Sequence, residues 1–107
     1  MKLEDLEIYL LSMQVSDEIW NIVIQWPFFE KNGIGKQWTD AADSISANIS
    51  EGYGRLSVKE NKRFCMIARG SLYETTTWLN KSSNRKLIDI EIFNSLNKKI
   101  TDLNVKL

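Results

Sequence analysis

Apolar and polar positions alternate with a helical period in four stretches of the chain, and each predicts a helix. The first covers about residues 3–26, where Leu6, Leu10, Met13, Trp20 and Val23 keep a three-or-four spacing, with a polar break at Ser16-Asp17. Pro27 ends it, because the ring removes a backbone donor and disfavours helix at the preceding residue. PFFEKNG then reads as a loop. The second helix covers about residues 34–53, with Ile34, Trp38, Ala41, Ile45 and Ile49 inward. Gly52 and Gly54 suit its C-terminal cap, since glycine takes a left-handed conformation at little cost. The third opens at Ser57, followed three residues later by Glu60, the pattern of a capping box. It continues through Phe64, Ile67, Ala68, Ser71, Leu72, Thr75, Trp78 and Leu79. Gly70 inside it costs about 1 kcal/mol against alanine, so a close helix contact is the expected compensation. SSNRKL is a loop, and the fourth helix covers about residues 88–105 on the stripe Phe93, Leu96, Ile100, Leu103.

No strand pattern, long linker, repeat or low-complexity tract competes, so residues 1–107 read as a single domain. Three short connections favour antiparallel neighbours. The simplest fold is an all-α, up-down-up-down four-helix bundle.

Composition narrows the chemistry. Lys plus Arg number 14 and Asp plus Glu number 14, so any nucleic-acid affinity must come from a local patch. There is no histidine and Cys65 is the one cysteine, which excludes a His/Cys zinc site and an intramolecular disulfide within one chain. The same absence removes the Ser-His and Cys-His catalytic arrangements. No catalytic residue, metal ligand or cofactor site is assigned, and the expectation is a non-enzyme. Cys65, beside Phe64, reads as a small packed side chain. The stretch MKLEDLEIYLLSMQVSDE carries acids where a signal peptide carries positive charge, and nothing approaches about 18 consecutive apolar residues. A cytoplasmic protein with no membrane partner is expected.

Two constellations stand out. In SISANISEGYGR, Ile45 and Ile49 share a face, and Ser44, Ser46, Ala47 and Ser50 are small enough for another helix to approach. Asn48 and Glu51 share another face. With Arg69 and Glu74 they form a candidate polar set, read either as a carboxylate site, with Glu51 as base or metal ligand, or as a structural network. The structural reading is preferred: a ferritin-like di-metal site needs Glu-x-x-His motifs that this chain lacks. It expects Asn48 to bond a neighbouring helix and Glu51, near a helix C-terminus where negative charge is disfavoured, to be held by Arg69, with Arg55 as the alternative. The second constellation is the basic run Arg55, Lys59, Lys62, Arg63, Arg69, opposed only by Glu60. Arg55, Lys59, Lys62 and Arg63 are the candidate nucleic-acid contacts; the competing reading is a solvated helix face. Trp20, Trp26, Trp38 and Trp78 read as core or interface anchors, and Trp26 with Phe28-Phe29 around Pro27 suggests a subunit contact.

FFEKNGIGKQW, DSISANISEGYGR and KENKRFCMIARGSLYE together resemble the bacterial four helix bundle protein family, whose founding members are encoded in intervening sequences of 23S ribosomal RNA genes. The matching positions are Glu30, Gly33, Ile34 and Gln37; then Ser44, Ile45, Asn48, Ile49, Glu51, Gly52, Gly54 and Arg55; then Phe64, Ala68, Gly70, Ser71 and Glu74. The opening EDLEIYLLSMQVSDEIW also looks like the family's first helix, and the resemblance covers about residues 6–79. It implies a bundle assembled as a ring-like homopentamer, without established catalytic activity. Similar proteins include accessory subunits of diversity-generating retroelements, which bind nucleic acid and a reverse transcriptase through basic surfaces. Where many members carry two arginines after the glutamine, this chain has Thr39 and Asp40, and Asp43 replaces a usual apolar residue. Positive charge is thereby removed from the second helix. Three functions follow, in order of preference: a homo-oligomeric helical scaffold whose partner is itself, a binder of structured RNA or DNA, and an enzyme built on Glu51 and Glu74.

Overall fold

The computed structural model describes residue 3 and residues 6–107. The elements run α1 (Glu7–Val23), a short α2 (Phe28–Glu30), a π-helical turn (Lys31–Gly35), α3 (Lys36–Tyr53), α4 (Val58–Asn84) and α5 (Ile90–Lys106). Among the described residues every element is helical. The first helix, expected over about residues 3–26, runs from Glu7 to Val23; Glu4 and Asp5 lie outside the described residues. The long helices form a bundle in which α3 packs on α1 and α4, and α5 packs on α4 and α1. No described helix is long and apolar enough to cross a membrane.

Helix α1 buries a different face from the one its bulky residues suggest. Ser12, Val15, Ser16, Ile19 and Val23 point inward, whereas Leu10, Met13 and Trp20 are exposed. Of the expected stripe only Val23 is buried, and the Ser16 "break" is part of the core. The physical reason lies in the two serines. Ser12 Oγ donates to the Tyr9 carbonyl at 2.8 Å and Ser16 Oγ to the Met13 carbonyl at 3.1 Å, so neither hydroxyl is buried unmet. Their small volume lets neighbouring helices approach closely.

PFFEKNG is not a loop. Pro27, with φ −57°, stands at the start of α2, and the Lys31 N–H already donates to its carbonyl at 2.8 Å. The chain continues through the π turn directly into α3. A Cβ at Gly35 would lie 2.6 Å from Val23 Cγ1 and 3.0 Å from the Glu30 carbonyl oxygen, so this turn is pressed onto the end of α1. Trp26 and Trp38 stack there at 5.9 Å. The inward set of α3 is Trp38, Ala41, Ala42, Ile45, Ser46, Ile49 and Gly52, and contains the four α3 residues expected.

The corners differ in detail from the sequence reading. No glycine has positive φ, so neither Gly52 nor Gly54 is a left-handed cap. Gly52 instead marks a close crossing: a Cβ there would lie 2.9 Å from Phe64 Cβ, and Asn61 Nδ2 donates to its carbonyl at 2.9 Å. Ser57 caps α4 by accepting from the Glu60 N–H at 3.3 Å, while the Glu60 carboxylate turns to Arg63 rather than back to the cap. At the far end, Lys86 has φ 60°. The Leu87 N–H bonds the Ser82 carbonyl at 2.9 Å and the Lys86 N–H that of Ser83 at 3.0 Å, which is a Schellman ending on a non-glycine residue. Asp89 then caps α5 by accepting from the Ile92 N–H at 2.8 Å. Leu96, Ile100 and Leu103 are buried as expected, and Phe93 packs against that core. Gly70 has no close helix contact: nothing lies within 4 Å of a Cβ built on it.

Two substitutions test these corners. Gly52→Ala forces α3 and α4 apart and should lower stability by about 1–3 kcal/mol despite alanine's better propensity. Lys86→Gly relieves a left-handed lysine and should raise stability by about 0.5–1 kcal/mol. Thermal melts read both, at about 4–8 °C per kcal/mol for a chain near 100 residues.

Candidate functional site

The polar set does not assemble. Asn48 Nδ2 donates to the Ser44 carbonyl of its own helix at 2.8 Å, not to a neighbouring helix. Glu51 pairs with Arg55 four residues on, not with Arg69, and both side chains are about half exposed. Such a surface pair contributes about 0.3–0.5 kcal/mol. Arg69 lies over the Tyr73 ring, 6.0 Å from its centroid. Hydrogen bonding from Arg69, then Asn104, holds the Tyr73 phenol below its usual pKa. Glu74 Oε2 accepts from Trp78 Nε1 at 3.2 Å. Each residue is satisfied by a near neighbour in sequence. Among the described residues no group of His, Cys, Asp and Glu could hold a metal ion.

The basic run divides in two. Arg63 Nε donates to Glu60 Oε2 at 2.9 Å, and its guanidinium lies 4.5 Å from the Phe64 ring centroid. Arg55, already paired with Glu51, stands 5.1 Å from the same centroid. Two cations thus stack on one largely buried ring at the α3–α4 corner, where they staple the crossing as much as they advertise charge. The hydrogen bond from Arg63 holds the Glu60 carboxyl below its ordinary range. Lys59 and Lys62 have no carboxylate partner among the described residues. They border a shallow hollow floored by Val58 and Met66.

What the sequence reading missed is the apolar surface that α1 and α4 leave outside; of the aromatic contact expected around Pro27, Phe28 and Phe29 are exposed but Trp26 is buried in the core. On α1, Leu10, Met13 and Trp20 are exposed, as is Ile24 just beyond it; Trp20 shows 55% of its surface. Phe28 and Phe29 are more exposed still. Of the tryptophans, Trp26 and Trp38 are core residues and Trp20 is not. On α4 and its approach, Leu56, Val58, Met66, Ile67 and Tyr73 are exposed, Met66 at 73%. The signal was present in the composition of α1: its apolar residues occupy two stripes, and one helix can bury only one of them in its own bundle.

Acids collect beside the α1 stripe. Partial burial chiefly, then the charges of Asp40 and Asp17, raise the Asp43 carboxyl above its usual pKa. The nearby Lys36 is committed to Asp40 at 2.8 Å. An acid whose folded pKa is raised holds its proton more tightly folded than unfolded. Its effect therefore favours folding as pH falls through that pKa and opposes folding above it. Asp43→Asn, melted at the lowest usable concentration, should raise the transition temperature at pH 7. The gain should shrink toward zero as the wild-type carboxyl becomes protonated, and a gain that grows in acid would contradict the assignment.

The comparisons with known proteins agree with this architecture. A solved structure of a protein with unknown function from the S23 ribosomal protein family of Bacteroides thetaiotaomicron VPI-5482 superposes with a TM-score of 0.80 and 25% identity, covering 91% of each chain. No curated protein matches. The sequence pattern of the 23S rRNA-intervening sequence proteins extends over residues 4–107, beyond the motif-bearing part and through the fourth long helix. The chain belongs to the 23S rRNA-intervening sequence protein family.

Proposed function

We propose that the chain is a non-enzymatic, homo-oligomeric helical scaffold of the 23S rRNA-intervening sequence type, acting in the cytoplasm. In this reading its helices run up-down-up-down and the bundles assemble into a ring. One observation carries it: α1 leaves Leu10, Met13 and Trp20 outside, a bulky apolar stripe that the bundle does not cover. A ring of five is what the family resemblance implies. Light scattering tests the assembly: the mass in solution should be a multiple of the 12.4 kDa chain at micromolar concentration. A clean monomer there would remove the reading.

A nucleic-acid role is the second reading, favoured by Lys59 and Lys62, which share a face of α4 without carboxylate partners. Arg55 and Arg63 are weaker phosphate contacts, being paired with Glu51 and Glu60. Titration of RNA and duplex DNA at low and moderate salt is the test. Two free cations per chain should give a log–log salt slope of about −2 per chain engaged. Absence of binding even at low salt would retire this role and leave the scaffold intact.

A further inference from the structure

Two exposed apolar faces lie on different sides of the bundle. α1 and α4 each pack chiefly on α3 and α5, so they stand across the bundle from one another. The α1 face carries Leu10, Met13, Trp20 and Ile24, and the α4 face carries Val58, Met66, Ile67 and Tyr73. They match in length. Leu10 to Ile24 and Val58 to Tyr73 each rise about 21–22 Å along a helix. They are opposite in charge. Asp17, Asp40 and Asp43 border the first and outnumber its two lysines, Lys36, which is paired with Asp40, and Lys31, which lies in the same hollow as Trp20 and Ile24. Lys59, Lys62 and Arg69 border the second, where the nearest acids, Glu60 and Glu74, are bonded to Arg63 and Trp78.

We propose that the scaffold is built by one heterologous contact, in which the outward face of α4 on one copy docks on the acidic apolar face of α1 and α3 on the next. The proposal rests on the homo-oligomeric reading and specifies the partner surface. Charge excludes the simpler alternative, a two-fold contact of either face with itself: that would set three aspartates against three, or the α4 cations against their own copies. Gly70 gains a purpose. It sits among Met66, Ile67 and Tyr73 with open space where its side chain would be, and it gives up helix propensity that nothing within the chain repays. A bare backbone there allows a neighbouring helix to come close. The raised Asp43 carboxyl fits the same picture: partly buried, and then crowded by Asp40 and Asp17 in the single chain, it meets cations from the next copy. Because the two faces differ, each copy retains one free face after pairing, so assembly continues until a ring closes.

The test uses one variant on each face. Met66→Glu places an acid on the α4 face, and Trp20→Asp adds one to the α1 face; circular dichroism checks that each remains helical. Gly70→Leu is the second α4 variant, since it points into open space and improves helix propensity. Each variant alone should be monomeric at concentrations where the wild type assembles. An equimolar mixture of an α4 variant with Trp20→Asp should form a 1:1 pair, doubling the mass and going no further, because one intact face of each kind remains. A mixture that stays monomeric, or any of these variants assembling as the wild type does, would overturn the contact while leaving the scaffold reading standing. A monomeric wild type would instead remove the scaffold reading and this contact with it.

Discussion

A helix can bury one stripe in its own bundle, and α1 carries two. The stripe that goes inward is the smaller one, with Ser12 and Ser16 beside Val15, Ile19 and Val23. It can do so because both hydroxyls bond carbonyls one turn back, which removes most of the cost of burying them. Once that seam is chosen, the rest follows. Gly35 is pressed onto Val23, Trp26 stacks on Trp38, and α3 is fixed on α1 while its Gly52 lies against Phe64 of α4. Leu10, Met13 and Trp20 then have nowhere to go but outside.

Several surface positions are poor choices for an isolated chain. Gly70 weakens an exposed helix, Asp43 carries charge beside Asp40 and Asp17, and Trp20 shows half its surface to water. Local rules tend to be broken where function constrains a residue more than stability does. These positions lie on the two uncovered faces, whereas the conflicts of the polar set dissolve on inspection: Glu51 and Glu74 have ordinary local partners. The surface of this protein is therefore more informative than its polar interior.

Much of the fold was legible in the sequence. The inward sets of α3 and α5 follow their apolar spacing, and Ser57 caps α4 as its position implies. Three features were not legible, each for a physical reason. Polarity alone ranks Ser16 below Leu10 for burial, but a hydroxyl that bonds its own helix is cheap to bury and small. Phe28 to Gly35 looked like a loop because Pro27 and two glycines punctuate it, yet proline starts a helix readily and Gly35 serves a close contact. Gly52 looked like a cap for the same reason, while among the described residues the left-handed one is Lys86, which no propensity would nominate. The family motif was specific enough to identify the chain, and the i, i+4 spacing already offered Arg55 as the alternative partner of Glu51, whereas the hold of Glu60 on Arg63 was not read from the sequence.

Methionine oxidation is the most direct test of the central claim, that the bulky stripe of α1 lies outside and is covered by another copy. Met13 sits on that stripe and Met66 on the α4 face, both exposed in the single chain. Their oxidation by a dilute peroxide can be followed site by site by mass spectrometry across a range of protein concentrations. The account predicts that both are readily oxidised in dilute protein and become protected together as concentration rises. Rates at the two sites that stay fast and unchanged through the whole range would contradict it.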